Sequence, residues 1–372
     1  MKSLRASEMV EKKIKLVRRA LEGSGAQGAL IVNRGNFLYL TGVDAGGVIY
    51  IEQDTDEIIA LVPLMEFWKV STAVEGKMQV YAVSKIAFNS HPDYPVILGS
   101  VADAVSKISE GIESLAVDSD PILLNSFQEV LKKKRVVNAS REITMVRRIK
   151  MTEEIELISK ASEISERALE RIINILRPGL SEKEIYAELL STIFREGADA
   201  LAFDPIVAIE ENASNPHAIP GERKLRRGNA VVFDLGAKKG SYCSDMTRTI
   251  LFGASSYRPL LESLISAYSE SLDMLRAGIP AKEVDLKARS ALSWRRLDIN
   301  FIHSLGHGVG VEVHEPPTLS PASEEVLMEG DVVTIEPGFY IPRKLGMRVE
   351  NTVVVTENGG KPLNRMDVLI EV

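Results

Sequence analysis

The sequence predicts an α/β domain over residues 1–140 followed by an α+β domain over residues 141–372, the second built on a curved antiparallel sheet. Three observations carry this. At 372 residues the chain is longer than one hydrophobic core usually serves. Before residue 140, apolar runs of strand type alternate with helical patterns. After it come long amphipathic helices and then paired β-rich runs separated by turn residues.

In the first domain, Gly28 to Val32, Phe37 to Leu40, Gly47 to Ile51 and Ile58 to Val62 read as strands, and Val101 to Ser109 and Ser126 to Lys132 as helices. Val136 to Glu142 shows no clear period. The second domain opens on a helix whose apolar face comprises Ile155, Ile158, Ala161, Ala168, Leu169, Ile172, Ile173 and Leu176. Thr152 is its expected N-cap, with Glu153 and Glu154 in the first turn, and Pro178-Gly179 stops it. Ser181 and Glu184 have the spacing of a capping box, which starts the next helix.

Composition excludes several function classes. The chain is 45% hydrophobic and 26% charged, ordinary for a globular protein. A net charge of -7 offers no basic footprint for a phosphate backbone, so nucleic acid is not an expected partner. Cys243 is the only cysteine, which rules out an intramolecular disulfide and a thiolate zinc cage. Met1 to Ala20 is charged and has no apolar signal-like core, and no later run approaches about 18 apolar residues. No membrane partner and a cytoplasmic location are expected.

The chemistry concentrates on strands of the second domain. Val231 to Gly236 and Tyr242 to Leu251 read as a hairpin through Ala237-Lys238-Lys239-Gly240. A turn centred between Lys239 and Gly240 puts Asp234 directly opposite Asp245, where two anions repel unless a cation lies between them. A slipped register would instead leave each as a solvated turn acid. Asp331 to Glu336 and Met347 to Val355 form a second pair of runs, with Pro337 to Gly346 as the turn, so that Glu336 and Glu350 converge. Between them lie His303, His307 and His314, three of the five histidines. Gly306 and Gly308 flank His307 and let its backbone approach a neighbour closely. One imidazole with four carboxylates is a hard donor set that suits two divalent ions, manganese or cobalt ahead of zinc or iron.

The order Asp234, Asp245, His307, Glu336, Glu350 stands within Phe-Asp-Leu-Gly, Ser-Asp-Met-Thr-Arg-Thr, Gly-His-Gly-Val-Gly, Ile-Glu-Pro-Gly and Arg-Val-Glu-Asn. It resembles the proline peptidases, prolidase (Xaa-Pro dipeptidase) and aminopeptidase P, from about Arg147 to the end. The first domain resembles the creatinase-type N-terminal domain of that family through Phe37-Leu38-Tyr39-Leu40-Thr41-Gly42. The resemblance implies a pita-bread catalytic fold, hydrolysis of the bond before proline in dipeptides or short peptides, and a homodimer. It implies that Asp234 holds one metal, His307 and Glu336 the other, and that Asp245 and Glu350 bridge them. A water shared by two such ions becomes a hydroxide near neutral pH. By the same resemblance Glu336 carries a proton to the leaving proline nitrogen, His217 and His314 bind substrate and steady its developing charge, and His303 lines the proline pocket. Arg348, two residues before Glu350 on one expected strand, is placed to orient the carboxylates.

Two positions depart from the family pattern. Thr318 stands where prolidases carry an arginine for the dipeptide's carboxylate, which puts that clamp in doubt unless another arginine, such as Arg343, replaces it. Ile209-Glu210 replaces the usual Ser-Gly. Two other classes are weighed: a methionine-aminopeptidase-like enzyme, which needs no domain of about 140 residues before its catalytic part, and a metal-free pita-bread binding protein. Unpaired clustered acids count against the latter.

Overall fold

A computed structural model describes residues 2–55, 57–87, 93–118 and 125–372, residues 2–7 as backbone only. The chain divides into two compact units, residues 1–147 and 148–372.

The first unit is a mixed seven-stranded sheet in the order Val96–Leu98, Gln79–Ser84, Ile58–Pro63, Val48–Glu52, Gly28–Ile31, Ser114–Val117, Arg135–Asn138. Leu30, Tyr50, Leu61, Leu115 and Val117 build its core with Ala104 and Val105 of the helix Val101–Ile108. One expected strand is a helix. Arg34–Thr41 is helical because Asn33 caps its start, accepting from the Asn36 amide at 3.1 Å, and Gly42 ends it in the left-handed region at φ 75°. Every residue from Gly35 to Thr41 is buried, so the sequence there carries no amphipathic period to separate helix from strand. The segment without period, Val136 to Glu142, runs from the strand Arg135–Asn138 into the first turn of the helix Ser140–Arg148.

The second unit repeats one arrangement twice, a helix pair laid on a sheet. Thr152–Ile175 and Glu182–Arg195 pack Ala168, Leu169, Ile172, Ile185 and Leu189 onto Val231, Phe233, Leu235, Met246 and Ile250. Arg258–Met274 and Ala281–Ser293 pack Leu261, Leu264, Val284 and Leu292 onto Val333, Ile335, Val353 and Val355. Burying each such aliphatic side chain contributes about 1.5–3 kcal/mol. The Ser181–Glu184 capping box forms as expected. Thr152 is not the cap of its helix. Met151 occupies that position, and its amide donates to the Glu154 carboxylate at 2.8 Å.

The two main sheets run Ile370–Glu371, Met246–Leu251, Ala230–Leu235, Ile206–Ile209, and Glu315–Leu319, Gly306–Gly308, Val332–Ile335, Asn351–Thr356, Gly359–Pro362. Their pairings are antiparallel except the edge pair of Met246–Leu251 with Ile370–Glu371, which is parallel. Strand alternation then decides the site. Val231, Phe233 and Leu235 face helices, so Asp234 points the other way. By the same rule Asp245 opposes Met246, Glu336 opposes Ile335, and Glu350 shares a face with Thr352 opposite Val353. The halves are joined by Thr249 Oγ1 donating to the Arg348 carbonyl (2.8 Å) and Thr352 Oγ1 to the Asp245 carbonyl (2.8 Å).

Candidate metal centre

The hairpin register differs from the expected one. Lys239 pairs with Tyr242, leaving Gly240 (φ 54°) and Ser241 (φ 72°) as a two-residue turn of type I′. Asp234 consequently faces Thr247, and Asp245 sits two residues nearer the turn on the same face, in a break between strands. The acids are diagonal neighbours rather than directly opposed. The second hairpin also differs. Pro337 to Gly346 is not a simple turn but the start of a separate hairpin, Gly338–Ile341 with Leu345–Arg348, and its Tyr340 bonds the site residues Arg348 and His303. Arg348 ends that short strand and Asn351 begins the next, so Arg348 and Glu350 do not share one strand. Both nevertheless line one cavity.

Ligand-capable atoms of Asp245, His307 and Glu350 lie within 4.8 Å of one another. His307 Nε2 is 3.6 Å from Asp245 Oδ2 and 3.3 Å from Glu336 Oε1. Its Nδ1 lies 3.1 Å from the Gly308 carbonyl, which can only accept, so Nδ1 carries a proton and Nε2 is the nitrogen turned to the acids; burial works against the charged imidazole, but its hydrogen bond to Glu336 raises the pKa. The flanking glycines are sterically required: a Cβ at Gly306 would stand 2.0 Å from the Thr334 carbonyl oxygen, and one at Gly308 2.3 Å from that of Pro316. Asp234 is joined through Oδ2 to Arg348, while its Oδ1 is buried with no hydrogen-bond partner among the described residues. Thr247 donates to Glu350 Oε2 at 2.6 Å.

Arg348 holds the arrangement from beneath, donating to Asp234, to Thr247 Oγ1 (3.0 Å) and to the Tyr340 hydroxyl (2.5 Å). A guanidinium only donates, so the Tyr340 proton is directed to His303 Nε2 at 3.0 Å, and His303 Nδ1 donates to the Ser304 carbonyl at 2.7 Å. His303 is thus fixed with neither nitrogen free, and burial lowers its pKa. Thr247 and Tyr340 were not singled out from sequence. Thr247 had a signal, two residues from Asp245 on the same face, but Tyr340 had none, because it lay within an assumed turn.

The electrostatics call for positive charge. Burial, then the charges of Glu350, Asp234 and Glu336, push the Asp245 carboxyl well above its ordinary value. Burial, then Glu336 and Asp234, do the same to Glu350. Burial raises Asp234 despite Arg348. Glu336 is also buried, but its hydrogen bond to His307 outweighs that and holds it at about 2. A buried orphan carboxylate oxygen beside three further acids and one imidazole nitrogen, which gives up its proton when it binds a metal, is a donor set that fits hard divalent cations.

The cluster lines a cavity of about 1320 Å³ that also includes His217, Ile219, Ile302, His303, His314 and Thr318. The His314 ring lies 4.2 Å from that of His307, one side against the cluster and the other to solvent, and this partial burial together with His307 and His217 lowers its pKa. His217 is exposed on a loop, its amide donating to Asn215 Oδ1 at 3.1 Å.

Residues 156–357 match the model of metallopeptidase family M24. The chain belongs to this family. Residues 13–149 match the creatinase/prolidase N-terminal domain. Among M24 relatives, a Pyrococcus furiosus Xaa-Pro dipeptidase is 36% identical over 338 residues, covering 89% of this chain and 91% of its own. A Thermotoga maritima X-Pro aminopeptidase structure superposes with a TM-score of 0.85 at 28% identity, covering 97% of this chain and 99% of that one. The Pyrococcus horikoshii prolidase structure gives 0.82 at 32% identity, covering 96% and 99%. The pita-bread M24 fold and its divalent-metal chemistry therefore hold for this chain. Among the described residues, no helix is long and apolar enough to cross a membrane.

Proposed function

We propose that this chain is a metal-dependent Xaa-Pro peptidase, cleaving the bond before proline at the N-terminus of dipeptides and short peptides. The observation that carries the reading is the convergence of the Asp245, His307 and Glu350 ligand atoms within 4.8 Å on the floor of an open cavity, beside the orphaned Asp234 oxygen. Asp234, Asp245, His307, Glu336 and Glu350 would hold two divalent ions, manganese or cobalt ahead of zinc or iron. Ions held there would supply an acidified water near neutral pH and a polarising charge for the scissile carbonyl. Glu336, 3.3 Å from His307 and turned to the cavity, takes a proton from the nucleophile and delivers it to the proline nitrogen, which must be protonated to leave. His314 and His217 donate to the carbonyl oxygen as charge develops on it. His303 offers a fixed ring wall to the proline side chain.

Peptide length follows from the cations at hand. Among the described residues the cavity is lined by Lys183 and Arg348 alone of the lysines and arginines. Arg348 is committed to Asp234, Thr247 and Tyr340, and Lys183 pairs with Glu222 at 2.9 Å on the exposed rim. Arg343 does not line the cavity, and Thr318 offers a hydroxyl. No guanidinium waits for a carboxylate placed directly after proline, so extension of the peptide costs little. With metal supplied, both Ala-Pro and Ala-Pro-Ala should be hydrolysed, and chelation should abolish both. Hydrolysis of neither, or of peptides lacking proline equally well, would sink the reading.

The donor roles separate from the ligand roles by metal content. His217→Ala and His314→Ala should each keep the full metal complement while kcat falls about a hundredfold to a thousandfold, the range for removing one oxyanion donor. Elemental analysis beside steady-state kinetics checks this; parallel loss of metal and activity would make the histidine a ligand instead.

Cytoplasmic location and a homodimer complete the proposal. Both rest on sequence composition and on resemblance, and sedimentation velocity tests the dimer.

A further inference from the structure

Glu182 is the first residue of the helix Glu182–Arg195, a position where an acid ordinarily faces water and the helix dipole. Here its side chain turns inward and is 1% exposed. Among its side-chain hydrogen bonds no lysine or arginine compensates the carboxylate. Three donors do, all from one segment: the Ile209 amide to Oε1 at 2.7 Å, and Asn212 Nδ2 (2.8 Å) and the Gly221 amide (2.7 Å) to Oε2. These donors are the start, the shoulder and the end of the loop that follows the strand Ile206–Ile209. Main-chain bonds from Glu182 to Arg223 (3.1 Å) and from Lys183 to Gly221 (3.1 Å) close the same end. Asn212 Nδ2 also donates to the Ile219 carbonyl at 3.0 Å, so the carboxylate's influence crosses the loop.

What the loop carries gives the clasp its consequence. Its underside, Ala213 and Ala218, is buried against Ala208 and Val232. Its upper side presents His217 and Ile219 to the cavity, and Ile219 is 82% exposed, an apolar side chain held out where substrate passes. The Ala213 carbonyl also lies so close to Gly346 that a Cβ there would stand 1.7 Å from it, which ties the loop to the strand ending at Arg348.

We propose that Glu182 is a positioning residue, a buried carboxylate that clasps both ends of the 209–221 loop and thereby sets where His217 and Ile219 stand over the metal cluster. The inference rests on the peptidase reading for its kinetic consequence, though the clasp itself does not. Glu182→Gln retains the size but has one acceptor oxygen, so its NH2 group must confront the donors on one side. Amide hydrogen exchange over residues 209–221 should become at least about tenfold faster in Glu182→Gln and Glu182→Ala, while the strand Ala230–Leu235 keeps its protection. Metal content should be unchanged, since none of the five ligands lies on this loop. Misplacing His217 should lower kcat about tenfold to a hundredfold. Combining Glu182→Gln with His217→Ala should cost no more than the worse single variant, because one acts through the other.

Unchanged loop exchange, or kinetic losses that multiply in the double variant, would overturn the proposal. If the unmodified protein hydrolyses no Xaa-Pro peptide, the peptidase reading fails while hydrogen exchange still decides the clasp. If Glu182→Ala does not fold, Glu182→Gln carries the same measurements.

Discussion

Asp245→Ala and Glu350→Ala are each expected to release both metal ions and to lower kcat by about a thousandfold or more, the several kcal/mol that metal chemistry supplies. Both carboxylates sit at the centre of the cluster, Glu350 fixed by Thr247 and Asp245 beside His307. If, as proposed, each bridges the two ions, its removal opens two coordination shells at once. Elemental analysis should read about two ions per chain in the unmodified protein and near zero in these variants. Asp234→Ala, which on the proposed assignment removes a ligand of one ion only, should retain the other. Retention of two ions by either bridge variant would overturn the ligand assignment.

Metal removal makes the same cluster a pH-dependent liability. The native state holds the Asp234, Asp245 and Glu350 carboxyls above the ordinary value, so they keep protons where an unfolded chain has lost them. Stability is then largest below the unfolded carboxylate pKa of about 4 and falls as pH rises through the raised native values. Glu336, held at about 2, works in the opposite sense and over a lower window, losing its contribution as pH falls toward that value. From about pH 5 upward the three raised carboxyls and the raised His307 oppose the lowered His303 and His314, whose contribution grows only up to the ordinary imidazole value of about 6.5, and with Asp245 and Glu350 held well above their ordinary values the carboxyls set the sign. Chelated protein should therefore lose thermal stability between weakly acidic and neutral pH, and added divalent metal should restore it.

Arg348→Ala is the variant expected to cost most in stability, about 3–5 kcal/mol, the usual result of removing one partner of a buried ion pair. The guanidinium is 5% exposed and divides its donors among Asp234, Thr247 and Tyr340. Without it, Asp234 loses the partner of Oδ2 while Oδ1 already has none, and Tyr340 no longer has its proton directed to His303. Arg348→Lys keeps the charge but not the fork, so it should fall between the two. Denaturant midpoints should rank the unmodified protein above Arg348→Lys and that above Arg348→Ala. A loss below about 1 kcal/mol for Arg348→Ala would place this arginine among ordinary surface pairs.

Much of the site was legible because it follows from local rules. The face of each acid depends only on strand alternation: Val231, Phe233 and Leu235 are apolar, so Asp234 must point away from the helices, and Val333 and Ile335 do the same for Glu336. The capping box at Ser181 involves four consecutive residues and was equally readable. Residue type set the donor hardness, and the glycines around His307 announced a close backbone approach that Thr334 and Pro316 confirm.

Tertiary structure decided what depends on partners distant in sequence. The hairpin register turned on Ser241 adopting φ 72°, a conformation rare for serine that composition did not announce, and it moved Asp245 from opposite Asp234 to the diagonal. The helix Arg34–Thr41 is buried on every side, which erases the period that would have marked it. Tyr340, Thr247 and Glu182 acquire their roles only when strands or loops far apart in the chain meet, as in the bond from Glu182 to Gly221. Sequence alone determined which groups were available and which face each strand would show, because those are set within a few residues. The fold determined which lone pairs and protons meet, because a hydrogen bond requires its two atoms within about 3 Å, and no local pattern encodes that distance.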